Sequence, residues 1–193
     1  MKKMTRSFVF AMLGFGIYPY AIGYAQAELD GGHIKLWENS GSGDSCTLTV
    51  RPGIRHYYMG DDNGGGQCEQ DQYTYFALQD MKSAVWVLFT SENWGHSPRC
   101  PRAGGFDGGW QEEIKTIKNN FTTPIIDLTV LDGAVVGEIF MPGIVKTFDR
   151  ESSGVSHKGK LSCVSTFWCP ASEKNLNCHD PDHVLEHHVE EGK

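Results

Sequence analysis

The chain has 193 residues, with 24 acidic and 17 basic side chains and a formal net charge of −7. Phosphate contacts need clustered Lys and Arg, so this balance excludes a typical binder of nucleic acid or anionic lipid. A chain of this length suits one compact domain, or one domain with an appended segment.

The N-terminus has the pattern of an export signal. Basic residues at positions 2, 3 and 6 precede an apolar run from Phe8 to about Ile22, and Ala25-Gln26-Ala27 has the small residues that signal peptidases recognise. The run contains Pro19 and is short for a membrane span, which needs roughly 20 apolar residues. We therefore predict that residues 1–27 are a cleaved signal peptide, that the protein is secreted or periplasmic, and that its mature form has no membrane span. An uncleaved membrane anchor is the alternative.

Short β-type runs broken by glycine clusters follow the signal, and no stretch up to residue 117 keeps helical periodicity for three turns. Strands are predicted at residues 34–37, 46–50, 73–78 and 84–89, with loops at 61–66 and 102–109. Further strands are predicted at 124–131, 135–140 and 144–148. Asp132-Gly133 between two apolar runs predicts a hairpin. Past Cys163 the chain becomes polar and cysteine-rich and ends in a charged tail.

All the cysteines follow the predicted cleavage site, and their number is even. An oxidising compartment favours disulfide bonds among them, although the sequence does not choose the pairing. A catalytic thiol with a histidine partner and a zinc site are the alternatives, but no C-x-x-C pair occurs. The predicted disulfide residues are Cys46, Cys68, Cys100, Cys163, Cys169 and Cys178.

The chain also contains an internal repeat. Residues 34–43 and 85–95 each predict a strand that ends on an aromatic residue, Trp37 or Phe89, followed by a polar turn and a glycine six positions on. Each copy is followed by a similar closing segment, at residues 79–85 and 111–117. A repeat of this kind indicates two related structural units.

The repeat resembles the βγ-crystallin superfamily, in which two Greek-key motifs form one β-sandwich domain. Trp37-Glu38 and Phe89 with Trp94 occupy the positions of the opening hairpins, and the similarity covers roughly residues 33–119. The resemblance implies a mostly β fold with a two-Greek-key β-sandwich at residues 28–119. Residues 120–193 are then a β-rich C-terminal extension that contains disulfides and a polar, histidine-rich tail.

Calcium binding is a further implication of the resemblance, because the closing segments of the family supply oxygen ligands. Asp80 and Ser83 match these positions in the first segment, and Glu112 matches in the second. Lys115 stands where a Ser or Thr oxygen is needed, and an ammonium group offers no acceptor and repels a cation. The expected cofactor is therefore at most one calcium ion.

The C-terminal tail offers a second metal hypothesis. If residues 181–190 are helical, His183 and His187 lie at i and i+4 on one face, a spacing that suits a transition metal. A solvated tail with incidental histidines is the alternative.

No catalytic constellation is recognisable, so we predict that the protein is not an enzyme. Trp94 and Trp110 are predicted as exposed aromatic residues beside a loop at 95–109 that suits rigid binding. The favoured function is a binding or inhibitory module that acts through its loops on another exported or extracellular protein. The alternative is a calcium-binding structural or stress-related protein.

Overall fold

The computed structural model describes residues 29–60, 68, 72–91, 109–150, 157–158 and 160–171. The predicted signal peptide and the histidine-rich tail lie outside these ranges. The protein is mostly β, as predicted, and none of its described helices is long and apolar enough to cross a bilayer. The elements in chain order are β1 (His33–Asn39), β2 (Ser42–Thr49), β3 (Gly53–Tyr58), β4 (Tyr75–Gln79), β5 (Val85–Thr90), β6 (Gln111–Thr116), β7 (Ile126–Asp127), α1 (Thr129–Asp132), β8 (Ile139–Met141), β9 (Ile144–Arg150) and β10 (Cys163–Trp168).

These strands form two antiparallel sheets. The four-stranded sheet has the order β2-β1-β4-β7, and the six-stranded sheet has the order β3-β10-β5-β6-β9-β8. Strand β3 leaves its sequence neighbours to pair with β10, and β7 crosses in the opposite direction to pair with β4. Each sheet therefore contains strands from the predicted domain at residues 28–119 and from the predicted extension at residues 120–193.

Alternation of apolar and polar residues explains why β1 forms a strand. In β1, Ile34 and Leu36 are fully buried while Lys35 between them is partly exposed, as a half-buried strand requires. The buried apolar residues of both sheets form one core cluster. Phe76 of β4 and Phe89 of β5 meet within it, with ring centroids 4.8 Å apart, so the two sheets face each other.

Strand β10, an inner strand of the six-stranded sheet, was not predicted, because the chain past Cys163 has a polar and cysteine-rich composition. It pairs with β3 on one side and β5 on the other, and five of its six residues are buried. A strand that is covered on both faces does not alternate, so the period-two signal is missing.

The strands predicted at residues 124–131 and 135–140 are largely wrong, and so is the hairpin at Asp132-Gly133. The side chain of Asp127 accepts hydrogen bonds from the Thr129 amide at 2.9 Å and the Thr129 hydroxyl at 2.8 Å. This local bonding closes a turn that leads into α1 instead of continuing β7. The hairpin lies further on, between β8 and β9, where Gly143 has a φ of 94°.

The described cysteines are oxidised, as predicted. Cys46 in β2 is bonded to Cys68, with Cα atoms 5.6 Å apart, and Cys163 and Cys169 are also disulfide-bonded. The other two predicted disulfide residues, Cys100 and Cys178, lie outside the described residues. The bridge from Cys46 ties the loop after β3 to the edge strand β2.

Candidate functional site

The predicted calcium ligands of the first segment lie in a tight turn after β4. The amide of Ser83 donates to Asn119 Oδ1 at 2.8 Å, and the ammonium of Lys82 donates to Asn120 Oδ1 at 2.5 Å. Asp80 is exposed and has a φ of 52°. The amide oxygens beside this turn thus already accept N–H groups, and one of the donors is a cation.

Glu112 lies far from the turn that contains Asp80 and Ser83. The amide of Ala84, at the end of the turn, donates to the Thr116 carbonyl at 2.7 Å. Glu112 lies four residues from Thr116 along β6, which corresponds to roughly 13 Å of strand. In the part of the chain that the structure describes, no group of three or more His, Cys, Asp or Glu side chains is arranged to hold a metal ion. The calcium site stays a prediction.

The predicted histidine metal site and the predicted exposed tryptophans have different outcomes. His183, His187 and Trp94 lie outside the described residues. The prediction that Trp110 is exposed is wrong, because its side chain is fully buried and stacks on His157 with ring centroids 4.4 Å apart. The amide of Ser91 donates to the Trp110 carbonyl at 3.1 Å, and the amide of Trp110 donates to the Ser91 hydroxyl at 2.9 Å, just beyond the paired ends of β5 and β6.

A concentration of exposed apolar side chains extends from α1 to the first residue of β8. Seven large apolar residues of the described chain are exposed by 40 % or more, and four of them fall within residues 130–139. These four are also the most exposed of the seven, at 50 to 63 %. We call this group the apolar segment; it consists of Val130, Val135, Val136 and Ile139. Groups of exposed apolar residues are typical of interaction surfaces.

The apolar segment is folded and attached to the core. Leu128 and Leu131 are fully buried beneath it. The amide of Ala134 donates to the Leu131 carbonyl and the amide of Glu138 to the Val135 carbonyl, each at 3.1 Å. These consecutive turns hold the exposed valines in a defined conformation.

A buried charge cluster fixes the same segment to the six-stranded sheet. The Lys146 ammonium contacts Glu112 Oε2 at 3.0 Å and Asp149 Oδ2 at 2.8 Å, and it donates to the Leu131 carbonyl at 2.5 Å. The other oxygen of Glu112 lies 3.1 Å from His157 Nε2. The side chains of Lys146 and Glu112 are both inaccessible to solvent. Glu112, predicted as a calcium ligand, is thus the partner of a lysine in this structure.

Sequence reasoning missed the role of Lys146, although a signal was present. Residues 144 and 146 lie on the same face of β9 by alternation, and both are fully buried. A lysine at an apolar position of an alternating strand indicates a buried partner of opposite charge. The partner itself was not recognisable, because it depends on the pairing of β6 with β9.

Comparison of the chain with protein-family models, with curated proteins and with solved structures found no match. The exposure and the contacts of the apolar segment are therefore the observations that bear on its function.

Proposed function

We propose that the protein is an exported, non-enzymatic binding module that recognises another exported or extracellular protein through the apolar segment. The observation that carries this proposal is that the four most exposed large apolar side chains of the described residues fall within ten consecutive positions. Burying one of the half-exposed side chains contributes roughly 1 kcal/mol, about half of the value for a fully transferred Val or Ile. The group together supplies roughly 4 kcal/mol to an interface, before the costs of association are subtracted.

Rigidity supports a binding role. A surface that is ordered before it meets its partner loses less conformational entropy on binding. The Lys146 ammonium holds the carbonyl of Leu131, so a buried ion pair fixes the helix that carries Val130. The proposed surface is therefore preorganised by contacts beneath it.

We also propose that the two sheets form a double Greek-key sandwich of the βγ-crystallin type. In a Greek key the fourth strand returns to lie beside the first. Strand β4 lies beside β1, and β10 lies beside β5, while the third strand of each set, β3 or β7, pairs in the opposite sheet. The two sets of four strands thus follow one pattern, which supports a duplicated motif that reaches residue 168.

If the protein is a double Greek-key sandwich, the apolar segment belongs to an insertion in the second motif, which consists of β5, β6, β7 and β10. Residues 59–74 separate β3 from β4, whereas residues 128–162 separate β7 from β10 and include α1, β8 and β9. Function is often carried by segments grafted onto a common scaffold. The calcium alternative lacks comparable support, because the oxygens of Asn119 and Asn120 beside Asp80 already accept N–H groups.

Site-specific crosslinking tests the proposal. Val135 is replaced by p-benzoylphenylalanine in one strain, and Ile54 in another, and the exported protein is irradiated in the living culture. Ile54 is the matched control, because it is 43 % exposed and lies in β3, at the opposite edge of the same sheet. We expect one adduct of defined mass from position 135 and none from position 54.

A quantitative measurement follows on the protein identified in the adduct. The combined replacement Val135→Ser, Val136→Ser and Ile139→Ser should weaken its affinity by about a hundredfold, corresponding to about 3 kcal/mol. Ile54→Ser should change the affinity by less than about twofold. Equal adducts from both positions, or equal effects of the two sets of variants, would refute the apolar segment as the binding surface.

A further inference from the structure

We infer that the partner contributes an extended, basic segment that pairs with the outer edge of β8. The inference rests on the proposed function and specifies the kind of partner. Strand β8 is the last strand of the six-stranded sheet, and no strand in the described chain pairs with it on the side away from β9. An edge strand presents unpaired backbone donors and acceptors, which an added strand can satisfy.

The side chains of β8 distinguish it from the other sheet edges. Asp44 in β2, Arg55 in β3 and Asp127 in β7 place a charge on each of the other three edge strands. Charged side chains on an edge strand discourage pairing with another chain. Strand β8 has the sequence Ile-Phe-Met and no charge, and its first residue, Ile139, is the last residue of the apolar segment.

The shortness of β8 limits what backbone pairing alone supplies. It has three residues, and its register with β9 is irregular between Ile139 and Met141. A strand added here makes only a few main-chain hydrogen bonds, so side-chain contacts must complete the recognition. The exposed side chains of Val135, Val136 and Ile139 provide the apolar part of these contacts.

The charges around β8 decide between a foreign partner and a second copy of the chain. Residues 127–145 contain Asp127, Asp132 and Glu138 and no Lys or Arg, and Lys146 is buried against Glu112. The exposed cation of the described chain that lies beside this stretch is Lys118, next to Gly143 at the turn between β8 and β9. Pairing β8 with its own copy would bring two such acidic segments together in a protein of net charge −7. Like charges across an interface oppose association, whereas a basic segment is complementary.

Three peptides test this inference with the full mature protein. The probe is a fluorescein-labelled peptide of ten residues that alternates Lys and Val, and the comparison peptide alternates Glu and Val. A third peptide has the basic sequence with N-methyl groups on alternate amides, which removes the hydrogen-bond donors along one edge. We expect binding of the basic peptide, no measurable binding of the acidic peptide, and about tenfold weaker binding of the methylated peptide.

Variants and hydrogen exchange locate the bound peptide. Glu138→Lys should weaken binding about tenfold, while Asp44→Lys, the same charge change on the exposed edge strand β2, should weaken it by less than about threefold. Hydrogen exchange should show new protection of amides 139–141 and unchanged protection of amides 53–58. Raising the salt concentration from about 0.05 M to about 0.5 M should weaken binding by about fivefold, because exposed charges are screened.

Each contrary outcome has a defined meaning. Equal effects of Glu138→Lys and Asp44→Lys, or peptide binding without protection of β8, would overturn the edge assignment. Sedimentation of the mature protein as a dimer that Ile139→Ser dissociates would instead make a second copy the occupant. A crosslinked partner whose affinity depends on Val135 but not on Glu138 would overturn this inference and leave the proposed function standing. No binding of any peptide up to about 1 mM would also overturn it, whereas failure of the proposed function appears as absence of the position-135 adduct.

Discussion

Replacement of Lys146 by methionine should destabilise the protein severely. The ammonium is fully buried, lies 3.0 Å from Glu112 and 2.8 Å from Asp149, and donates to the carbonyl of Leu131. Lys146→Met keeps most of the side-chain volume but leaves the Glu112 carboxylate buried without its cation. Breaking a buried ion pair on one side costs about 3–5 kcal/mol, a large share of the stability of a typical domain.

A second substitution shows whether the cost arises from the orphaned charge. Glu112→Gln in the Lys146→Met background removes that charge, and it should recover at least about half of the lost free energy of unfolding. Urea unfolding followed by circular dichroism measures both variants. Lys115→Met is the control, because its partly exposed ammonium lies 4.2 Å from the centroid of the Trp86 ring, a contact worth about 0.5–1 kcal/mol. A loss below about 1 kcal/mol for Lys146→Met, or no recovery in the double variant, would refute the reasoning.

Three further predictions concern other parts of the molecule. Burial raises the pKa of the Tyr57 phenol above its usual value of 10.0, so its contribution to stability is present below about pH 10 and lost as the pH rises through the raised value. Tyr57→Phe should flatten that alkaline loss in urea unfolding measured between about pH 8 and about pH 11. The double replacement Cys46→Ser and Cys68→Ser should lower the free energy of unfolding by about 3 kcal/mol, because the bridge closes a loop with a sequence separation of 22; equal urea midpoints would contradict this. Millimolar calcium should leave the melting temperature unchanged, because the turn that contains Asp80 also carries the Lys82 ammonium, which donates to Asn120 Oδ1. A rise that Asp80→Asn abolishes would restore the calcium alternative.

The fold class and several strands could be predicted from the sequence, because they depend on local patterns. Short β-type runs bounded by turn residues identified the neighbourhoods of β1, β4 and β5, and β1 also begins with an alternation of partly exposed and buried side chains. The even number of cysteines indicated disulfides, and the four described cysteines are bonded.

Sequence reasoning was least successful where partners distant in the chain decide the structure. Strand β10 has buried residues on both of its faces, so its sequence carries no alternation, and β7 is too short to produce a pattern. A turn forms at Asp127 where a strand was predicted. The Asp127 carboxylate accepts hydrogen bonds from the Thr129 amide and hydroxyl, and this local bonding competes with pairing in a sheet.

The sequence by itself therefore determined that the chain builds antiparallel sheets and which cysteines are available to cross-link them. Only the tertiary structure decided the role of Glu112, because its environment comes from Lys146 and His157, 34 and 45 residues away in the chain. It also decided which apolar residues remain on the surface. Val135 and Ile139 are of residue types that usually form a core, yet both are more than half exposed, and Ile139 lies in β8, the outermost strand of its sheet, where no described strand pairs on the side away from β9.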